Sequence, residues 1–312
     1  MRKILSITAF LSLFITSAFA HTSLIKGNHK HKGQQEDFKL EKVGGNVYAL
    51  FGQGGNIGVT YGSDGLMIID TQFERIVPQI KAKLKTLGSD TPKFVFNTHW
   101  HGDHTGGNAL FGQNGTIIAH QNVRNRLLST VNPRDGKAKE PAPKVALPMI
   151  TFQKEISMYF NDEEIRAVHY NHAHTDGDTV LFFTKSNVVH MGDQFFAGRF
   201  PFVDLSSGGS VPGLLKNIGE LIQIIPADAK LIPGHGPVST MEDLKSYNDM
   251  LIDTTLIVRK HMKNGKSLED IKKAGLPAKY KEAGSGFINM EAWIETIYQS
   301  YSMDMMDMNK SK

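Results

Sequence analysis

Three histidines and an aspartate fall within six residues, in the run Thr98-His99-Trp100-His101-Gly102-Asp103-His104. Imidazole is a common protein ligand for first-row metals, and a carboxylate adds the charge that holds a dication. On an extended segment His99 and His101 point to the same side, because side-chain direction alternates with period two. Asp103 and His104 follow a glycine that lets the chain turn, so they can face the same volume from another direction. The run offers two pairs of ligands, enough to begin two adjacent metal sites. The competing reading is a polar loop with ordinary histidines. A preceding strand and distant partner ligands decide between them.

Three further stretches supply such partners. Asn171-His172-Ala173-His174-Thr175-Asp176 lies between two apolar runs, and if extended it places His172 and His174 on one side. By position alone both remain open, as does an ordinary polar turn. Val188-Val189-His190-Met191-Gly192-Asp193 brings a carboxylate to the end of an apolar strand. One carboxylate can bridge two dications at the short separation that two-metal hydrolysis needs; the alternative is a helix cap or a salt-bridge partner. Leu231-Ile232-Pro233-Gly234-His235-Gly236 again reads strand, turn, histidine. His190 reads as a packed strand histidine.

The elements that must position these residues follow from pattern. Apolar runs at 38–43, 47–51, 57–61 and 66–70, separated by Gly- and Asn-containing turns, predict an antiparallel meander. Helical periodicity covers 73–87 (Ile76, Ile80, Leu84, Leu87) and stops at Gly88. Phe94-Val95-Phe96 is a buried strand that delivers the histidine run at its C-terminal end, where open α/β folds usually place chemistry. A short helix from 107, a strand at 116–119 and a helix at 121–128 follow. The long loop at 129–147, with Pro133, Pro141 and Pro143, is a candidate lid. Strands resume at 150–152, 156–159, 165–170, 180–183 and 188–191. A helix at 211–225, a strand at 230–232 and helices at 241–263, 267–273 and 290–301 complete the pattern. Each half runs strands then helix, which predicts two sheets with helices outside.

The 312 residues include no cysteine, so disulfides, thiol nucleophiles and thiolate ligands are excluded. The net charge of +4 counts Arg2 and Lys3, and no dense basic patch points to nucleic acid. Residues 1–20 read as a secretory signal: Arg2 and Lys3, an apolar stretch from Ile4 to Ile15, then Ala18-Phe19-Ala20. Residues 21–37 read as a mobile polar leader. The expected product starts near His21 and is periplasmic or secreted from a bacterium. No membrane attachment is expected after cleavage.

The series His99, His101, Asp103, His104, then His174, Asp193 and Gly234-His235-Gly236, over roughly residues 38–237, resembles the metallo-β-lactamase-fold hydrolase superfamily. The resemblance implies an α/β, four-layer αββα sandwich at 38–238, with a C-terminal helical extension at 239–312. It implies His99, His101 and His174 on one metal, Asp103, His104 and His235 on the other, and Asp193 bridging; it also favours His174 over His172. Well-known plasmid-type β-lactamases of the superfamily carry Cys where Asp193 stands. The set found here is similar to glyoxalase II-type thioesterases and many lactonases, and to exported members labelled β-lactamase-like or cyclase-like.

The expected cofactor is two Zn²⁺, with iron or manganese as alternatives. Two dications sharing a water make a hydroxide nucleophile for an ester, thioester, lactone or β-lactam carbonyl. Asp103 is the candidate to orient that hydroxide and shuttle its proton. Asp70, Thr98 and Asp176 are candidates to fix the ligand imidazoles. Aromatic residues with a cation suit a carboxylate-bearing acyl substrate, so Trp100, Phe196, Arg199 and Phe200 are candidate contacts; those phenylalanines equally suit packing under the 211–225 helix. The alternatives in other classes are a mononuclear-iron persulfide dioxygenase and a non-enzymatic periplasmic metal-binding module. The sequence does not specify an oligomeric state.

Overall fold

The computed structural model describes residues 38–310; the expected signal and leader segments lie outside them. The predicted meander forms as β1 (Lys39–Gly44), β2 (Val47–Phe51), β3 (Ile57–Gly62) and β4 (Gly65–Ile69). A helix, α1 (Val77–Lys85), crosses over to β5 (Phe94–Asn97). Two single turns of helix, α2 (Gly102–Thr105) and α3 (Asn108–Phe111), precede β6 (Thr116–His120). The helix α4 (Gln121–Leu128) and the loop after it lead to β7 (Ile150–Phe152). These seven strands form one sheet in sequence order, antiparallel through β4 and parallel from β4 to β7.

The second sheet is ordered β12-β11-β10-β9-β8. Its strands are β8 (Glu155–Phe160), β9 (Glu163–His169), β10 (Thr179–Phe183), β11 (Val188–Phe196) and β12 (Lys230–His235). The helix α5 (Val211–Ile224) connects β11 to β12, which pair in parallel. The chain ends in α6 (Met241–Lys263), α7 (Leu268–Ala274) and α8 (Met290–Lys310).

Strand alternation separates three cores. In β10, Leu181 and Phe183 face the layer between the sheets, whereas Val180 and Phe182 face the helices. In β4, Met67 and Ile69 join the inter-sheet core, whereas Leu66 and Ile68 pack with Ile80 and Leu84 of α1. Successive side chains point to opposite faces of a strand, so a continuous apolar run is what a sheet buried on both sides requires. The helices α5, α6 and α8 cover the outer face of the second sheet, with Leu214, Leu251 and Trp293 in one core. The result is the αββα order of layers with helices at the C-terminus. Among the described residues no helix is long and apolar enough to cross a membrane.

The strand at β11 runs five residues further than its predicted end at Met191. Gly192-Asp193 reads as a stop in sequence, but Gly192 takes φ +51° and shifts the β11–β12 register without ending the pairing. A Cβ on Gly192 would press on the Thr98 side chain. A glycine in this left-handed conformation therefore re-aims the strand at Asp193.

Candidate metal centre

Every site residue arrives at the same edge between the two sheets. Thr98 to Asp103 follow β5, His174 precedes β10, Asp193 lies in β11 and His235 ends β12. Backbone bonds tie the edge together. Gly55 N–H donates to Asp103 O at 3.1 Å, Asn56 N–H to Gly234 O at 2.7 Å, and Thr179 N–H to Thr98 O at 2.9 Å. Gly102 opens α2, and a Cβ there would meet nothing within 4 Å. The turn that brings in Asp103 and His104 is thus helical, and it does not depend on glycine's conformational freedom. Gly55 is different: a Cβ there would collide with the His104 ring.

Two groups of donor atoms result, each within 4.8 Å: His99, His101, His174 and Asp193, and Asp103, His104 and His235. In the first, His101 Nδ1 lies 3.1 Å from His99 Nε2 and 2.8 Å from His174 Nε2. Asp193 stands between the groups. Its Oδ2 is 3.4 Å from His174 Nε2 and 3.5 Å from His235 Nε2, and its Oδ1 is 3.1 Å from His104 Nε2. His172 is exposed and outside both groups, with Nδ1–H donating to Gly208 O at 3.0 Å.

The opposite ring nitrogens fix the tautomers. His104 Nδ1–H donates to Asp70 Oδ2 at 2.7 Å, His101 Nε2–H to Asp204 Oδ2 at 2.8 Å, and His174 Nδ1–H to Phe202 O at 2.6 Å. Thr98 N–H and Oγ1–H donate to Asp70 at 2.8 and 2.7 Å. The Thr98 oxygen is then free to accept from His99 Nδ1–H at 3.1 Å. Each of the four rings therefore turns a lone pair toward the shared space, the arrangement in which outer partners orient metal-binding imidazoles. Of the three residues expected to orient them, Asp70 and Thr98 do so. Asp176 does not; it pairs with Arg126 Nη2 at 2.7 Å. Asp204 takes that place on His101. Sequence reasoning missed this because Asp204 lies 103 positions away with no local signal.

The donor set fits a divalent metal. His104 Nε2 and Asp193 Oδ1 are buried, and neither has a hydrogen-bond partner despite their proximity. Unpartnered buried polar atoms are costly, and a cation between them satisfies both. Charge agrees. Burial holds His99 well below its usual range and His174 down at about 4, which keeps both as neutral ligands. On the other side burial acts in the same direction, but Asp193, Asp103 and Asp70 hold His104 well above its usual range. Burial is likewise outweighed at His235, which Asp193 and the Asp103 hydrogen bond bring to about 9. Burial would raise Asp103, yet His104 and His235 draw it down to about 2. This side of the site attracts positive charge.

A cavity of about 580 Å³ opens onto Asp103, Asp193 and His235. Of the expected substrate contacts, Trp100, Phe196, Arg199 and Phe200 all border it. Phe196 stacks on the His235 ring at 5.1 Å. Phe200 is only 2% exposed and stacks on Trp293 at 5.9 Å, so packing also claims it. Phe202, Phe287 and, from the 129–147 loop, Arg134 and Lys139 also line the wall.

Residues 50–271 match the family profile described as "Metallo-beta-lactamase superfamily". A probable metallo-hydrolase, YqgX, of Bacillus subtilis (strain 168) is 26% identical over 166 residues, 52% of this chain and 76% of that protein. A hydroxyacylglutathione hydrolase of Nitrosococcus oceani is 28% identical over 149 residues, covering 45% of this chain and 47%, about half, of the relative. Among solved structures, a metallo-beta-lactamase from Pontibacter korlensis superposes with TM-score 0.58 at 16% identity, over 70% of this chain and 100% of that one.

Proposed function

Because the chain belongs to the metallo-β-lactamase superfamily and is a metal-dependent hydrolase, we propose that it holds two zinc ions and cleaves carboxylic acyl bonds. Thioesters, esters and lactones are the preferred class, with β-lactams secondary. The observation that carries this reading is Asp193, whose two oxygens face both donor groups. His99, His101 and His174 would hold one ion, Asp103, His104 and His235 the other, and Asp193 both. Zinc suits nitrogen and oxygen ligands in hydrolysis. Two such ions polarise a carbonyl and make water nucleophilic near neutral pH.

The chain's own groups supply the rest. Asp103, ionised through the working pH range, accepts a hydrogen bond from the attacking water and orients it. Trp100 and Phe196 form an apolar wall that excludes bulk water and seats the acyl body. The hydroxyacylglutathione hydrolase relative supports a thioester among the substrates. An oxygen donor at position 193, in a chain without cysteine, supports a general acyl hydrolase over a dedicated β-lactamase. We also propose export to the periplasm or medium, on the strength of residues 1–20 alone.

The test is a panel assay on zinc-loaded protein: acyl thioesters, γ- and δ-lactones, aryl esters and β-lactams. Turnover is expected in the first three classes and weakly in the last. Turnover of none would overturn the proposal, as would oxygen uptake with a persulfide substrate and one bound iron.

A further inference from the structure

The cavity is charged in one sense once its metal-facing carboxylates are set aside. Among the described residues Asp103 and Asp193 are the only acidic ones lining it, and both belong to the donor groups. The remaining charged wall residues, Arg134, Lys139 and Arg199, are cations. They are not equivalent. Lys139 Nζ–H donates to Arg126 O at 3.2 Å, which tethers a compact ammonium that lacks a planar fork. Arg199 is exposed, with its stem against Gly286.

Arg134, itself half-exposed, is the cation whose planar head group is braced by side chains at the cavity wall. It sits in a small hairpin, where Asn132 N–H donates to Lys137 O at 2.8 Å and Lys139 N–H to Thr130 O at 2.8 Å. Its guanidinium lies 4.9 Å from the Phe202 ring centre. Nη2 is 3.5 Å from Asp204 Oδ2 and 3.3 Å from His101 Nε2. Asp204, 2% exposed, thereby steadies the cation, while Nε and Nη1 have no protein partner among the described residues. Nη2 carries two hydrogens, so with Asp204 taking one of them an edge of the planar guanidinium, Nη2 with one neighbouring nitrogen, is still open to a carboxylate through two parallel hydrogen bonds.

We propose that Arg134 is the anion anchor of this cavity, and that the preferred acyl substrates carry a carboxylate on an aromatic or otherwise apolar body. The inference rests on the acyl-hydrolase reading above. Arg134 lies against the outer nitrogen of His101, whose inner nitrogen faces the donor group. The carboxylate therefore sits on the same small molecule, a few bonds from the scissile carbonyl. Phe202 carries the guanidinium on one side and meets Phe287 at 6.2 Å on the other. Phe287 is 89% exposed, an unusual position for a large aromatic and one that suits the mouth of an apolar binding site.

The experiment compares phenylacetate with phenylacetamide on the zinc-loaded protein, read by tryptophan fluorescence. The chain has two tryptophans; Trp293 is fully buried, so Trp100 at the cavity reports occupancy. Wild type should prefer the carboxylate by about tenfold or more. Arg134→Ala should abolish that preference, and Arg134→Lys should restore only part of it. In parallel, KM for a carboxylate-bearing ester should rise more than KM for its neutral amide analogue. An equal preference in wild type and Arg134→Ala overturns the proposal, as does loss of preference in Arg199→Ala instead. Absence of any preference in wild type also overturns it. If the Arg134-dependent preference is present but no acyl substrate is cleaved, the functional reading fails and the anion site stands.

Discussion

Two groups of buried histidines in this chain look alike by exposure and differ in what their nitrogens do. His99, His101, His104 and His174 each anchor one ring nitrogen on protein and turn the other into a common space. His120 and His190 use both. His120 Nε2–H donates to Gln153 O at 3.1 Å, and its Nδ1 accepts from Asn122 N–H at 3.2 Å. His190 Nε2–H donates to Asn56 O at 3.1 Å, and its Nδ1 accepts from Gly192 N–H at 3.3 Å. Burial therefore does not mark a ligand. An unpartnered nitrogen facing others of its kind does.

That contrast can be broken by substitution. The largest effect is expected at the donor groups: His99→Ala or Asp193→Ala should lower kcat/KM by at least about 10³-fold, read with metal content in the same samples. His190→Gln, at an equally buried site, should leave metal content unchanged; loss of metal there would erase the distinction between the groups. Next in size is the difference between the two halves of the site. His235 is a quarter exposed and His174 fully buried, so His235→Ala should release one metal while His174→Ala destabilises both. Equal losses in the two variants would show a single inseparable site.

Smaller again is the effect of the outer partners. Asp204→Ala should weaken metal affinity about 10- to 100-fold, because His101 loses the acceptor that fixes its tautomer. A competitive chelator titration measures this.

The smallest expected effect lies at His120 of the second group and its neighbour His169, and it appears with pH. The His120 and His169 rings stack at 3.6 Å. Burial, with repulsion from His169, lowers His120 to about 4, and burial lowers His169 as well. At these two rings the folded state thus binds fewer protons than the unfolded chain below about pH 6.5. Stability should be full above that value and fall as pH drops from about 6.5 toward 4, by on the order of 1–2 kcal/mol, or a few degrees in Tm. His169→Gln should flatten this slope in thermal melts; an unchanged slope would assign it elsewhere.

Much of this was legible in the sequence because strand alternation and short-range spacing are local. The strands near 47–51 and 150–152 and the helix at 241–263 have the predicted bounds, since turn residues and caps mark their ends. Gly192-Asp193 misled because a left-handed glycine inside a strand has the same sequence signature as a turn. Four clustered donors and three distant motifs came together because each ends or borders a strand at one edge. The outer partner Asp204 and the wall residues Arg134 and Phe287 were not legible. They reach the site through loops 30 to nearly 200 positions from the residues they touch or face, and no periodicity records such a meeting. Phe196 and Phe200 show the same limit: one stacks on a site histidine and the other on a core tryptophan, four positions apart.

The most direct test of the central claim is metal content by elemental mass spectrometry of the purified, zinc-equilibrated protein. The account predicts two zinc ions per chain. A single metal per chain, or iron retained in place of zinc, would contradict it.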